Sequence, residues 1–191
     1  PPSVDRFNSG AFSSAGNYYV KPFGNNAELY QINIAASPPT ATLIPLTQSF
    51  TTSDMAWYGG RMYSTADNGQ LYSIDVTNGT TTAIGVPDTS GDVLGAQFSG
   101  TNGFFGAANN GSGLWRINLT TGARDKISDA PASGNNDGAS CPTVALFEPL
   151  PPEPGNPTSV PTLDTAGVGL LSLLGAGAGA LALRRRKRTG Q

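Results

Sequence analysis

Leu71-Tyr72-Ser73-Ile74-Asp75-Val76 recurs as Leu29-Tyr30-Gln31-Ile32-Asn33-Ile34 and as Leu114-Trp115-Arg116-Ile117-Asn118-Leu119. Each copy reads leucine, aromatic, polar, isoleucine, Asn or Asp, aliphatic, and the leucines lie 42 and 43 residues apart. Successive strand residues point to opposite faces, so the repeated residues are placed to meet neighbouring sheets, the aromatic and isoleucine forming the core between them. After the second and third copies come Thr77-Asn78-Gly79-Thr80 and Thr120-Thr121-Gly122-Ala123, with glycine where a hairpin turn needs positive φ.

Working outward, each copy has a second unit ahead of it. These units are Phe12–Val20, Ala56–Ser64 with a Gly59-Gly60 turn, and Ala96–Gly106. Every repeat therefore offers about four short strands in about 42 residues, the size of a propeller blade. Asp137-Gly138-Ala139-Ser140 and Thr143–Phe147 read as part of a fourth repeat. The fold class expected is all-β, with about three to four propeller-like blades over residues 1–148. A closed propeller needs at least about four blades, and neither an initiator Met nor a signal peptide is present. The reading is thus of an N-terminally truncated arc, or an imperfectly closed ring, with exposed edge strands. A β-sandwich is the alternative architecture, and the regular spacing argues against it.

After the repeats the composition changes. Residues 149–161 hold six prolines and read as a semi-rigid, extended spacer. Residues 166–183 are 18 uncharged residues with six leucines, enough for a transmembrane helix of about 27 Å against a hydrocarbon core of roughly 30 Å. Glycines dilute this run, but in lipid the backbone has no better alternative than a helix. Arg184, Arg185, Arg186, Lys187 and Arg188 follow as a membrane stop. Residues 1–165 carry a formal charge of −7, whereas these five carry +5, which places the basic end in the cytoplasm and the repeats outside it. An otherwise acidic chain gives the basic run no nucleic-acid role.

Val160, Pro161, Thr162 and Leu163, the apolar run and the basic end together resemble the IPTL-CTERM sorting signal of bacterial envelope proteins. That family usually begins with Ile and often has an aromatic residue where Ala166 stands. Pro152-Glu153-Pro154-Gly155 resembles the related PEP-CTERM motif, but eleven residues separate Pro154 from Ala166, whereas that motif abuts its helix. The resemblance over residues 160–188 implies processing by an exosortase-type membrane transpeptidase. The repeats resemble uncharacterised propeller-like domains of bacterial surface proteins, which bring no established chemistry.

The residue inventory narrows the chemistry further. The chain has no histidine and one cysteine, Cys141. Ser-His-Asp and Cys-His catalysis, a zinc cluster and an internal disulfide are excluded on that ground. Asp67-Asn68-Gly69 and Asn135-Asn136-Asp137-Gly138 offer oxygen ligands for calcium, yet lack the alternating spacing of a dedicated loop and read as turns. Asn78-Gly79-Thr80, Asn110-Gly111-Ser112 and Asn118-Leu119-Thr120 match the glycosylation sequon and read as turns too. Trp57, Tyr58, Tyr63, Tyr72 and Trp115 are of a type that stacks on sugars, but at strand positions they read as core. No catalytic, cofactor or metal residue is expected.

These observations point to a non-enzymatic, exported protein of the cell envelope, surface-exposed or released after processing. Its expected partners are the membrane, an exosortase-type enzyme, and extracellular polysaccharide or surface proteins. The alternative is a secreted propeller enzyme or glycan-binding module acting on extracellular polysaccharide. The enzyme form requires two carboxylates to converge on one face.

Overall fold

A computed structural model describes residues 7–134 and 136–147. The expected linker, the Val160–Leu163 motif, the 166–183 helix and the Arg184–Arg188 stop lie outside the described residues. Among the described residues no helix is long and apolar enough to cross a membrane.

Each repeat folds into one four-stranded antiparallel sheet with its strands in chain order. The first contains β1 (Phe7–Phe12), β2 (Tyr18–Pro22), β3 (Asn26–Asn33) and β4 (Thr40–Phe50). The second contains β5 (Ala56–Tyr58), β6 (Arg61–Thr65), β7 (Leu71–Ile74) and β8 (Thr81–Ile84). The third contains β9 (Leu94–Gly100), β10 (Gly103–Ala108), β11 (Leu114–Ile117) and β12 (Arg124–Ser128). The Leu-aromatic-polar-Ile motif is the third strand of every sheet, and its alternation places successive side chains on opposite faces. The turns use the expected glycines: Gly59 and Gly60 take φ 54° and 88°, and Gly79 and Gly122 take 75° and 74°. The sequon-like triplets are Asx turns, in which Asn78, Asn110 and Asn118 accept the amide two residues ahead through Oδ1.

Alternation along each strand divides the core in two. Tyr72, Ile74 and Val76 pack backward, joining Leu29, Tyr19, Leu46 and Phe50 of the first repeat. Leu71 packs forward, joining Phe104, Leu94 and Ile117 of the third repeat. Aromatic contacts cross both boundaries, with Tyr19 stacked on Trp57 at 6.3 Å and Tyr63 tilted against Phe104 at 6.0 Å. Such pairs contribute about 0.5–1.5 kcal/mol beyond their burial. The middle sheet is thus buried on both faces, a propeller-like stacking rather than two sheets closing one core.

The first strands of the three sheets converge. Gly10–Phe12, Met55–Trp57 and Gln97–Ser99 line a common cavity of about 80 Å³, and Gly138–Ser140 forms a fourth side. The expected fourth repeat is therefore present as an inner segment, while no described residue from 129 to 147 forms a strand.

Candidate functional site

The axis holds the polar groups that join the repeats. Hydrogen bonds there span one repeat length: Asn8 Nδ2 donates to Thr52 O, Gln97 N to Asp54 Oδ2, and Ser99 Oγ to Trp57 O, at separations of 44, 43 and 42 residues. The same relation carries on into the fourth segment. Ser99 N donates to Ser140 Oγ at a separation of 41, and Asn102 and Leu146 exchange a donor and an acceptor at 44. Residues 137–146 thus sit against β9 as the first strand of a following repeat would.

Asp54 is the hub. It is fully buried, and its Oδ1 accepts Met55 N at 2.7 Å while Oδ2 accepts Gln97 N at 2.6 Å and Gly138 N at 3.0 Å. Its own carbonyl accepts the hydroxyls of Thr52 and Ser64 at 2.6 and 2.9 Å. Burial pushes the Asp54 carboxyl up to about 7; the three amides oppose that rise and the nearby charge of Asp137 reinforces it. Gly138 is glycine for a steric reason, since a Cβ there would stand 2.8 Å from both N and O of Gln97.

Gln97 completes the stitch between the second and third repeats. Its buried amide accepts Thr65 N at 2.6 Å through Oε1 and donates to Thr65 O at 2.9 Å through Nε2, copying a strand pairing with a side chain. Replacing Gln97 with leucine would leave Thr65 N unpaired in the interior and Thr65 O with only the longer bond from Thr52 Oγ1 at 3.4 Å. A loss of about 2–3 kcal/mol is expected, read as a lower urea midpoint at unchanged slope.

Two other charged groups are buried off the axis. Lys21 is fully buried in the first sheet, with Nζ donating to Asn26 Oδ1 at 2.6 Å and lying 4.8 Å from the Phe50 ring centroid. Burial pulls its ammonium down to about 8, opposed by Glu28. Arg124 on β12 clips the loop between the second and third sheets. Its Nη1 donates to Asp92 O at 3.2 Å and its Nε lies 3.8 Å from Asp88 Oδ2.

The residues singled out from sequence divide by environment. Trp57, Tyr63, Tyr72 and Trp115 are half-buried between sheets, as core positions. Tyr58 is half-buried on β5. Asp67 and Asn68 border an open groove of about 420 Å³ with Phe50 and Tyr72, where Phe50 stacks on Tyr72 at 4.6 Å. Asp67 accepts Ser53 Oγ, and Asn68 accepts Gln70 N. Cys141 is exposed as a free thiol beside Thr143. Among the described residues no group of three or more His, Cys, Asp or Glu is placed to hold a metal ion. Asp54 and Asp137 are close enough to interact, but the Asp54 oxygens are occupied by backbone amides. The adjoining cavity of about 80 Å³ has room for about two waters, well below the roughly 300 Å³ of a ligand pocket.

Asp54, Gln97 and Lys21 were not singled out from sequence. A signal for Asp54 exists in the repeat: Asp54-Met55-Ala56 and Asp137-Gly138-Ala139 occupy matching positions. Lys21 and Gln97 carry no such signal, because one charged or amide residue in a strand ordinarily faces solvent.

Comparison with known families agrees with this repeat geometry. A model described as "Repeat of unknown function (DUF6923)" matches residues 1–143. The chain belongs to the DUF6923 repeat family. In this DUF6923 chain the IPTL-CTERM motif matches residues 158–188, so a C-terminal sorting signal of the kind borne by secreted or surface proteins follows the repeats. No protein of curated function matches the chain. Among solved structures it is similar to glutaminyl cyclase from Myxococcus xanthus, at TM-score 0.41 and 13% identity, covering 59% of this chain and 48% of that one. It is also similar to BamB from Moraxella catarrhalis, at TM-score 0.41 and 11% identity, covering 68% and 38%. The DUF6923 chain thus spans less than half the length of either structure.

Proposed function

We propose that this protein is an exported, non-catalytic component of the bacterial cell envelope, sorted through its C-terminus by an exosortase-type transpeptidase. The observation that carries the reading is the IPTL-CTERM match over residues 158–188, in which Val160–Leu163, the uncharged run 166–183 and the basic residues 184–188 follow in order. In this reading the apolar run enters the bilayer as a helix and the basic cluster stays on the cytoplasmic side. The repeat domain lies on the outer side, held off the surface by the proline-rich segment 149–161. Pro161 and the start of the helix restrict the backbone around the motif and present it extended at the membrane face. The sorting enzyme supplies the catalytic groups. The repeat domain supplies a rigid stack of sheets, consistent with polar side chains at its axis that are engaged in joining repeats.

Mass spectrometry of the mature protein from its native host tests this reading. The expected polypeptide ends near Val160–Leu163, and a strain without the sorting enzyme keeps the full tail. A chain lacking residues 160–188 should leave the membrane fraction almost completely. Mature protein that retains Arg184–Arg188 in a strain with an active sorting enzyme contradicts the processing step.

A further inference from the structure

The tip of the β2–β3 hairpin brings a buried amine onto a side-chain amide. Lys21 is fully buried, and its Nζ donates to Asn26 Oδ1 at 2.6 Å and to Asn26 O at 3.1 Å. Because Oδ1 is bonded to Cγ, the amine stands one atom from an electrophilic carbon. The rest of the amide is fixed as well. Asn26 Nδ2 faces three carbonyls, donating to Pro22 O at 3.2 Å and to Phe23 O and Gly24 O at 3.1 Å. Glu28 N donates to Oδ1 at 3.3 Å, and the Phe50 ring walls the site with its centroid 4.8 Å from Nζ. The Glu28 carboxylate acts on the Lys21 ammonium through its charge, and its Oε2 accepts Tyr30 Oη at 2.8 Å.

These groups are the ones that amide exchange between a lysine and an asparagine needs: a desolvated amine, a fixed amide, a donor at its oxygen and a carboxylate to move a proton. We propose that Lys21 and Asn26 become joined by an isopeptide bond, a covalent modification that the folded chain makes on itself. Neutral Nζ attacks Cγ, and the carbonyl electron pair moves onto Oδ1, where the Glu28 amide stabilises it. One proton passes from Nζ to Nδ2 through the Glu28 carboxylate. The carbonyl re-forms, the Cγ–Nδ2 bond breaks, and ammonia leaves through the hairpin tip, where Phe23 and Asn25 are exposed. One amide replaces another, so the step uses no oxidant, reductant or cofactor. Burial holds the Lys21 amine at about 8, so about one chain in ten has it neutral at pH 7, against fewer than about one in a thousand for an ordinary lysine. The bond ties β2 to β3 around Phe23, which is 60% exposed, so a cut after Phe23 leaves the chain in one piece. A chain with one cysteine thereby gains an internal cross-link that no disulfide within it can supply.

Mass spectrometry of the purified full chain, digested to completion with chymotrypsin under denaturing conditions, reads the bond. The expected product is one branched species in which Val20–Phe23 stays joined to the peptide that begins at Gly24 and contains Asn26. It is lighter by one ammonia than the two peptides together. Lys21→Arg and Asn26→Ala should each abolish it, whereas Asn25→Ala should keep it. Glu28→Gln should lower the linked fraction at least about tenfold. Recovery of the two peptides separately and at full mass from the wild-type chain overturns the proposal, and that measurement needs no variant to fold. Loss of ammonia that persists in Lys21→Arg also overturns it, because Asn26 would then be closing on backbone rather than on the lysine. An unchanged linked fraction in Glu28→Gln overturns the part given to the carboxylate.

Discussion

Asp54→Ala should lower the unfolding free energy by about 3–5 kcal/mol, among the largest effects available to a single substitution in this chain. The reason is geometric. Met55, Gln97 and Gly138 all direct backbone amides at this one carboxylate, and they belong to the second, third and fourth inner positions. Alanine leaves the Met55 and Gln97 amides unpaired in the interior, each costing about 1–3 kcal/mol less whatever relaxation recovers, while Gly138 N keeps Asp137 Oδ1 at 3.0 Å. Asp54→Asn keeps an oxygen for Gln97 and Gly138 but turns an NH₂ toward Met55 N, so its loss should be smaller.

The same group sets a pH dependence. With its folded value raised to about 7 from an ordinary 3.8, the folded state holds a proton through a range where the unfolded chain has released it. Its contribution is therefore fully present below pH 3.8 and is lost as pH rises through about 7. Urea titrations of the full chain in detergent should show stability falling by an amount on the order of 4 kcal/mol across that window. The slope should flatten in both Asp54 variants. A wild-type profile that rises over the same window would rule out this account of the axis.

Gly79→Ala is the second large effect, and Gly59→Ala is its control. Both glycines have positive φ, so alanine at either meets the left-handed penalty of about 1–2 kcal/mol. A Cβ at Gly59 would meet nothing within 4 Å, whereas one at Gly79 would lie 1.8 Å from Pro45 O. Gly79 also accepts Thr47 N at 3.1 Å, and Thr81 N donates to Thr47 Oγ at 2.9 Å, so the turn is tied to β4 of the preceding sheet. Relieving the overlap requires the second sheet to move from the first. A loss of at least about 3 kcal/mol is expected for Gly79→Ala and about 1 kcal/mol for Gly59→Ala, measured by thermal melting of the full chain. Equal shifts in melting temperature would show that this turn is not a contact between repeats.

How much of this was legible in the chain depends on the range of the interaction. The Leu-aromatic-polar-Ile motif made the third strand of every sheet readable, because strand periodicity is local and the repeat displays it three times. The turn glycines were readable for the same reason, since positive φ is a property of one residue. The C-terminal signal was readable as a linear order of motif, apolar run and basic cluster, which needs no folded context. By contrast, Asp54 is marked in the chain only by its match to Asp137, and that match does not show that its carboxylate meets Gly138, 84 residues away. Lys21 has the composition of a surface strand residue yet is fully buried against Phe50. Thr143–Phe147 read as part of a fourth repeat, and the chain there runs as an inner segment held to Thr101 and Asn102 by hydrogen bonds rather than as a paired strand.

Sequence by itself determined the all-β repeat, its period, its turns and the signal that follows it, because each is written in neighbouring residues. Only the tertiary structure decided which polar groups meet at the axis and which charged side chains are buried. Those outcomes depend on how the stacked sheets bring positions one or two repeats apart to hydrogen-bond distance, a relation that no local pattern records.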